Sequence, residues 1–191
     1  MSIIFDSTKE SWEAGYEAGD WNFIEEPIEK NRSAVIAMYC AHLRPQGQIL
    51  DVGCGTGTLF QVLSTEQQSN YLGIDISAVA VARAKQKKNI RAIAVSAEDF
   101  TTDEKFDVII FNEVLYYLDY QQTLQRYKDF LKPNGLIIIS MYRIPEISER
   151  RQVAKLWRTT ATLFQSLDEV TIIGKHQDAK ITWDVRIYQL K

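Results

Sequence analysis

Residues Ile49-Leu50-Asp51-Val52-Gly53-Cys54-Gly55-Thr56-Gly57 constrain this chain more than any other stretch of it. A short apolar run carrying one acid breaks into three alternating glycines. Ile49, Leu50 and Val52 read as a buried strand. The glycines supply a tight turn and leave no Cβ where a ligand must approach the backbone. Thr58 to Leu63 reads as the start of a helix whose free N–H groups point back into the turn. Strand, glycine loop and helix in that order make a nucleotide-type site. The plain alternative is a glycine turn that holds nothing.

The spacing narrows the ligand. The dinucleotide fingerprint is G-x-G-x-x-G, whose third glycine serves helix–strand packing. Here the pattern is G-x-G-x-G with Asp51 two residues ahead. A carboxylate at the strand end repels a pyrophosphate and attracts a cation. The pattern disfavours NAD and favours S-adenosylmethionine, which has a sulfonium and an amino-acid moiety but no phosphate.

Length and composition set the outer bounds. At 191 residues, 46% of them hydrophobic, the chain reads as one domain, 1–191, with a real core. A net charge of −3 lacks the basic footprint of a nucleic-acid binder. The short clusters Lys85-Gln86-Lys87-Lys88 and Arg150-Arg151 read as solvated helix faces. Two cysteines, Cys40 in an apolar helical pattern and Cys54 in the loop, give no disulfide framework, so a reducing cytoplasm is expected. The two histidines, His42 near a helix end and His176 in a polar loop segment, stand apart, so no metal is expected. Met1-Ser2-Ile3-Ile4-Phe5-Asp6 turns polar too soon for a signal peptide, and no apolar run is long enough to span a bilayer.

From residue 48 onward strand and helix alternate. The expected strands are Gln48–Asp51, Tyr71–Asp75, Ile90–Val95, Phe106–Phe111 and Leu136–Met141. The helix after the second strand is capped by Ser77 and runs Ala78 to Lys87; the helix after the fourth starts at Asp119 and runs to Leu131. Pro133-Asn134-Gly135 reads as a turn. This alternation implies a doubly wound α/β fold, a mostly parallel sheet with helices on both faces. Glu146 to Phe164 reads as a helix. Val170–Ile173 and the strictly alternating Ile181 to Tyr188 then read as two strands with no helix between them, hence an antiparallel hairpin. Ahead of a helix at about Ser33–Leu43, the first 32 residues interleave Trp12, Tyr16, Trp21 and Phe23 with acids and glycines.

Ligands of such sheets sit beyond the carboxyl ends of the strands, and the chemical candidates lie there. Asp75 follows Gly55 by twenty residues, the position of an acid that holds a ribose. Ile76 beside it can pack on an adenine face. Asn112-Glu113-Val114-Leu115-Tyr116-Tyr117-Leu118 follows the fourth strand. There Glu113 can exchange a proton with an acceptor, if burial raises its pKa, and Tyr116 and Tyr117 can orient it. Alternatively, the leucines pack inward and the tyrosines cover them. Tyr142, Arg143 and the helix bearing Trp157 are further candidates for the wall of an acceptor pocket.

The D-V-G-C-G-T-G stretch, Asp75, the Ser96-Ala97-Glu98-Asp99-Phe100 loop, the Phe106–Leu118 block and Pro133-Asn134-Gly135-Leu136 together resemble the class I S-adenosylmethionine-dependent methyltransferases. Glu113 to Leu118, with Trp12, Tyr16, Trp21, Glu29 and Arg32, is most similar to the nodulation N-methyltransferase group, whose members act on an amine of a chitooligosaccharide. The segment Gly19-Asp20-Trp21-Asn22-Phe23 departs from that group, which usually has a Pro-containing turn there. The resemblance implies a seven-stranded Rossmann-like sheet whose last strand inserts antiparallel. It implies a cofactor site at Asp51, Gly53, Cys54, Gly55, Thr56, Gly57, Asp75, Ile76 and Asn112. The adenine amine is to be met by Glu98 or Asp99, with Asp99 favoured, and its ring by Phe100. Residues 1–32 are implied to fold over the cofactor as a lid, with Trp12, Tyr16 or Trp21 at the methionine end, and Arg32 is implied to be a further cofactor-binding residue. An aromatic face near a sulfonium is physically sensible.

The function expected is methyl transfer from S-adenosylmethionine, leaving S-adenosylhomocysteine, to an amine or hydroxyl of a small molecule. Neither nucleic acid nor membrane is expected as a partner. The competing readings are an NAD(P)-dependent oxidoreductase and a non-catalytic nucleotide-binding protein. The sequence leaves the acceptor and the oligomeric state open.

Overall fold

In a computed structural model of the protein, residues 8–143, 147–176 and 179–191 are described. The signal-peptide reading at Met1–Asp6 and the helix start at Glu146 fall outside them. Seven strands form one sheet: β1 (Ile49–Val52), β2 (Tyr71–Asp75), β3 (Ala92–Ala94), β4 (Phe106–Asn112), β5 (Leu131–Tyr142), β6 (Phe164–His176) and β7 (Ala179–Leu190). Their order is β3-β2-β1-β4-β5-β7-β6. All run parallel except β7, which lies antiparallel between β5 and β6. The hairpin is therefore present, but its antiparallel member is interior and β6 is the edge.

The helices are α1 (Lys9–Ala18), α2 (Pro27–Leu43), α3 (Thr65–Ser69), α4 (Ala78–Ala84), α5 (Tyr120–Tyr127) and α6 (Ile147–Leu163). Successive side chains of a strand point to opposite faces, and the core divides accordingly. Ile109, Phe111, Ile137 and Ile139 pack with Leu124 and Tyr127 of α5 and Leu156 and Trp157 of α6. Val108, Ile110, Ile138, Val185 and Ile187 pack with Ile36, Ala37 and Cys40 of α2. Among the described residues no helix is long and apolar enough to cross a membrane. Nor do three His, Cys, Asp or Glu gather as a metal site among them.

Several elements differ from the sequence expectation, each for a local reason. Thr58 to Leu63 begins no α-helix. It makes turns and a single 3₁₀ turn at Phe60–Val62. Leu59, Phe60 and Leu63 bury against the α2 side of the sheet, and Ser64 then opens α3 with a capping box to Gln67. Pro133-Asn134-Gly135 is a bulge inside β5: Phe106 pairs with Leu131 and Val108 already with Leu136, while Asn134 takes φ 61°. α4 ends at Ala84 rather than Lys87, and α5 gives way to a 3₁₀ turn at Lys128–Phe130. α2 begins earlier than expected, with Pro27 in its first turn, where a missing N–H costs nothing. β3 is shorter than Ile90–Val95, and β6 extends well beyond Val170–Ile173, so the backbone of His176 closes a strand.

Ile138 is fully buried in the interior strand β5. Ile138→Ala is expected to destabilise the fold by about 2–5 kcal/mol, read as a lower urea midpoint with an unchanged denaturant slope.

Candidate active site

A cavity of about 630 Å³ opens at the carboxyl ends of β1, β2, β4 and β5, where the strand order reverses between β1 and β4. The glycine loop forms its floor. Gly53 takes φ 74° and Gly55 φ 53°, conformations that side chains rarely adopt. A Cβ on Gly53 would lie 2.7 Å from Val114, and one on Gly55 would lie 3.0 Å from the Tyr16 hydroxyl. The loop is therefore glycine for space as well as for backbone freedom.

Five acids line the cavity: Glu29, Asp51, Asp75, Glu98 and Glu113. Asp51 is 1% exposed. Its Oδ2 accepts from the Tyr71 hydroxyl at 2.7 Å, and its Oδ1 has no partner. Burial pushes its pKa up to about 7, against the Tyr71 bond. Asp75 accepts from the N–H of Gly55 at 2.8 Å and of Ser77 at 2.9 Å, so it braces the loop against the end of β2. Burial raises its pKa too, with those N–H groups opposing. One cation answers these acids. Arg32 of α2 lines the same cavity and is 6% exposed. It donates to Asn112 at 3.1 Å, pairs with Glu29 and lies 5.5 Å from the centre of the Trp183 ring.

Glu113 sits where β4 ends, with φ 61°, a strained conformation for a residue with a side chain. Its Oε1 accepts from the Ser140 hydroxyl at 2.7 Å. Its Oε2 accepts from the Tyr142 N–H at 2.8 Å and the Tyr116 hydroxyl at 3.1 Å. A carboxylate has about four acceptor positions, so three are committed and one is left. Burial raises its pKa against Arg32 and these donors. Tyr116 and Tyr117 meet edge-on at 4.4 Å between ring centres, and both line the cavity.

The N-terminal segment closes the cavity from above. Trp12, Tyr16, Trp21 and Phe23 all line it, and Trp12 stacks edge-on with Tyr117 at 4.8 Å. Two acids fasten the segment. Glu13 of α1 accepts from the Ser77 hydroxyl and from the N–H groups of Ala78 and Val79, at 2.8, 2.8 and 3.0 Å, and so caps α4 from outside. Glu25 accepts from the Thr56 hydroxyl at 2.6 Å.

Of the expected site residues, Trp12, Tyr16, Trp21, Arg32, Asp51, Gly53, Cys54, Gly55, Asp75, Ile76, Glu98, Asn112, Glu113, Tyr116 and Tyr117 line the cavity. The other four are placed elsewhere. Thr56 turns to Glu25, and Gly57 sits against Ile90 and Lys87. Asp99 is held by Ser96, whose hydroxyl it accepts at 2.8 Å, and Phe100 packs in the core against Tyr127 and Phe130. Tyr142 lines the cavity, whereas Arg143 pairs with Asp184 and Trp157 lies under Arg186. Sequence reasoning passed over Glu13, Glu25, Tyr71 and Trp183. Only Trp183 carried a signal, as the bulkiest inward position of an alternating strand.

A family model described as a methyltransferase domain matches residues 43–183. Nodulation protein S of Azorhizobium caulinodans is 28% identical over 144 residues, which cover 72% of this chain and 66% of that protein. The chain thus spans less than two thirds of that relative's length. Among solved structures, N-methyltransferase NodS from Bradyrhizobium japonicum WM9 in complex with S-adenosyl-L-homocysteine superposes with a TM-score of 0.75 at 21% identity, covering 97% of this chain and 99% of that one. The 1,6-didemethyltoxoflavin-N1-methyltransferase of Burkholderia thailandensis gives 0.73 at 18% identity, covering 97% and 88%. At those identities the likeness is one of fold.

The Glu13 contact carries its own test. Burial pushes the Glu13 carboxyl up, but the N–H groups of Val79 and Ala78, the Ser77 hydroxyl and Lys9 outweigh it and hold the group below its ordinary value of 4.5. The contact is therefore present above the ordinary value and lost as pH falls through the depressed one. Glu13→Ala removes a helix cap worth about 1 kcal/mol. Amides of α1 are expected to exchange roughly fivefold faster at neutral pH, with the amides of β4 unchanged.

Proposed function

This chain belongs to the methyltransferase-domain family, and from that premise we propose that it is an S-adenosylmethionine-dependent methyltransferase acting on a nitrogen of a small-molecule acceptor. The observation that carries the reading is the buried Asp51 carboxylate, with one oxygen unpartnered, on the floor of a cavity whose glycines leave no room for a Cβ. Asp75 and Glu98, two of the other lining acids, point the same way. Such a floor suits a cation and a ribose and repels a pyrophosphate, which sets the nicotinamide reading aside. Nitrogen is preferred to oxygen as the acceptor atom because two of the similar structures bear the names of N-methyltransferases.

Each residue then has a task. Asp51 and Arg32 offer opposite charges to the two ends of an amino-acid moiety. Asp75 accepts from ribose hydroxyls, Ile76 packs on the adenine, and Glu98 rather than Asp99 meets its amine. S-adenosylmethionine supplies a methyl carbon already activated by a sulfonium. The protein's contribution is alignment, worth up to about 7–11 kcal/mol. Tyr116, held by Glu113, and Tyr117 orient the acceptor nitrogen. Glu113 has one acceptor position left for the proton that nitrogen sheds. The described part of the N-terminal segment, residues 8–32, acts as a lid on a single domain, and Trp12, Tyr16 and Trp21 exclude water from the transfer. The net charge of −3 favours a small acceptor over nucleic acid. Both cysteines are free and buried, in keeping with a reducing cytoplasm.

Incubating the protein with methyl-labelled donor and a pool of amine and phenol metabolites is expected to label an amine. Glu113→Gln should bind S-adenosylhomocysteine normally and lose about 10²–10⁴-fold in turnover. Gly55→Val should abolish binding, since its side chain fills the floor. Saturable binding of NADH together with none of S-adenosylhomocysteine would reject the reading.

A further inference from the structure

Asp51 is the buried acid of this molecule whose surroundings are the most particular. Its register partner across β1 and β2 is Gly73. The backbone of Gly73 needs no unusual φ, so its lack of a side chain serves space alone. A Cβ there would lie 2.9 Å from the Tyr71 hydroxyl and 2.8 Å from the Cys54 sulfur. The absent side chain is the passage by which Tyr71, two residues back on the same face, reaches across to Asp51. The Tyr71 ring is itself fixed edge-on by Phe60, at 5.2 Å, and the residue is fully buried. The phenol donates to Oδ2 and leaves Oδ1, on a residue that lines the cavity, without a partner.

The groups that face Asp51 are Cys40 from α2, Cys54 from the loop, and Tyr71 and Asp75 from β2. None is a cation, and among the described residues no Lys, Arg or His forms an ion pair with Asp51. An acid buried without a counter-ion holds its proton more tightly than a solvated one and yields it more readily to an arriving cation.

Building on the cofactor reading above, we propose that Tyr71 and Gly73 are positioning residues that aim Asp51 at the cofactor's ammonium group, and that cofactor entry expels a proton from the Asp51 carboxyl. The proton passes from Oδ1 to solvent as the cofactor seats, and the ammonium takes its place as partner; no other bond changes. The raised acidity range of Asp51 in the free protein, about 7, sets where the effect is visible. Near pH 7 the acid is about half protonated, and a bound cation favours the ionised form. Tyr71 matters because its hydroxyl stabilises that ionised form.

Calorimetric titration with S-adenosylhomocysteine, which keeps the ammonium and lacks the sulfonium, tests this in buffers of low and high ionisation enthalpy. The wild type is expected to release about half a proton per site at pH 7 and less than about a tenth at pH 8.5. Asp51→Asn should bind more weakly and release none. Tyr71→Phe removes one hydroxyl. A tenfold rise in the proton affinity of Asp51 then weakens binding about fivefold at pH 7, and the loss disappears by pH 9. Gly73→Ala should act in the same direction by displacing the phenol. Normal binding with no buffer dependence in the wild type would overturn the proposal while leaving the cofactor reading intact. So would release that survives Asp51→Asn, which assigns the proton to Asp75 or Glu113. A Tyr71→Phe protein with wild-type affinity at both pH values removes Tyr71 from the device. Absence of any S-adenosylhomocysteine binding rejects the cofactor reading itself.

Discussion

The chain can leave β1 only through a left-handed backbone. Gly53, Gly55 and Gly57 all take positive φ, and each bare Cα becomes a seat for a different part of the molecule. Val114, just past β4, lies over Gly53, Tyr16 and Ile24 of the N-terminal segment lie over Gly55, and Ile90, ahead of β3, lies over Gly57. One turn thus gathers the loop after the fourth strand, the N-terminal segment and the approach to the third strand around a single point. A side chain at any of the three would strain the backbone and push a neighbour away.

The polar groups buried around that turn are held by partners rather than left to solvent. Arg32 ties Glu29 to Asn112, and Asn112 in turn reaches the Ser33 hydroxyl at 3.5 Å. Glu113 draws together the ends of β4 and β5 through Ser140 and Tyr142. Such networks add little net stability. Their value is geometric: they fix where charge sits in a cavity otherwise walled by aromatic rings. The unpartnered Asp51 oxygen is the exception within this order.

Much of this was legible in the sequence, and the limits have physical causes. The central strands announce themselves because both their faces are buried, and the parallel order brings their acids to one end. Asp51, Asp75, Glu98 and Glu113 were found in this way. The stretch after the glycine loop misled because Leu59, Phe60 and Leu63 are as apolar as a helix face and yet pack as a turn. β6 was read short because, at an open edge, Gln165, Ser166 and Lys175 need no alternation. The sequence could not tell that Glu98 faces the cavity and Asp99 does not, because the Ser96 hydroxyl that holds Asp99 in its own turn shows only in the folded loop. Glu13 and Glu25 were invisible because their partners lie 64 to 66 and 31 residues away, a distance across which a lone acid in a polar helix gives no local sign.

The interior placement of β7 has a bearing on how the molecule comes to be built. β5 and β6 are never neighbours; the gap between them is filled by a segment synthesised after both. While the chain is still emerging, β5 presents a row of unsatisfied amides and carbonyls flanked by isoleucines, the kind of border that recruits strands from other molecules. Completion is a late, long-range insertion rather than a step-by-step accretion, and such non-local closures are slow. The interval before the final hairpin docks is the time during which nascent copies are most exposed to aggregation.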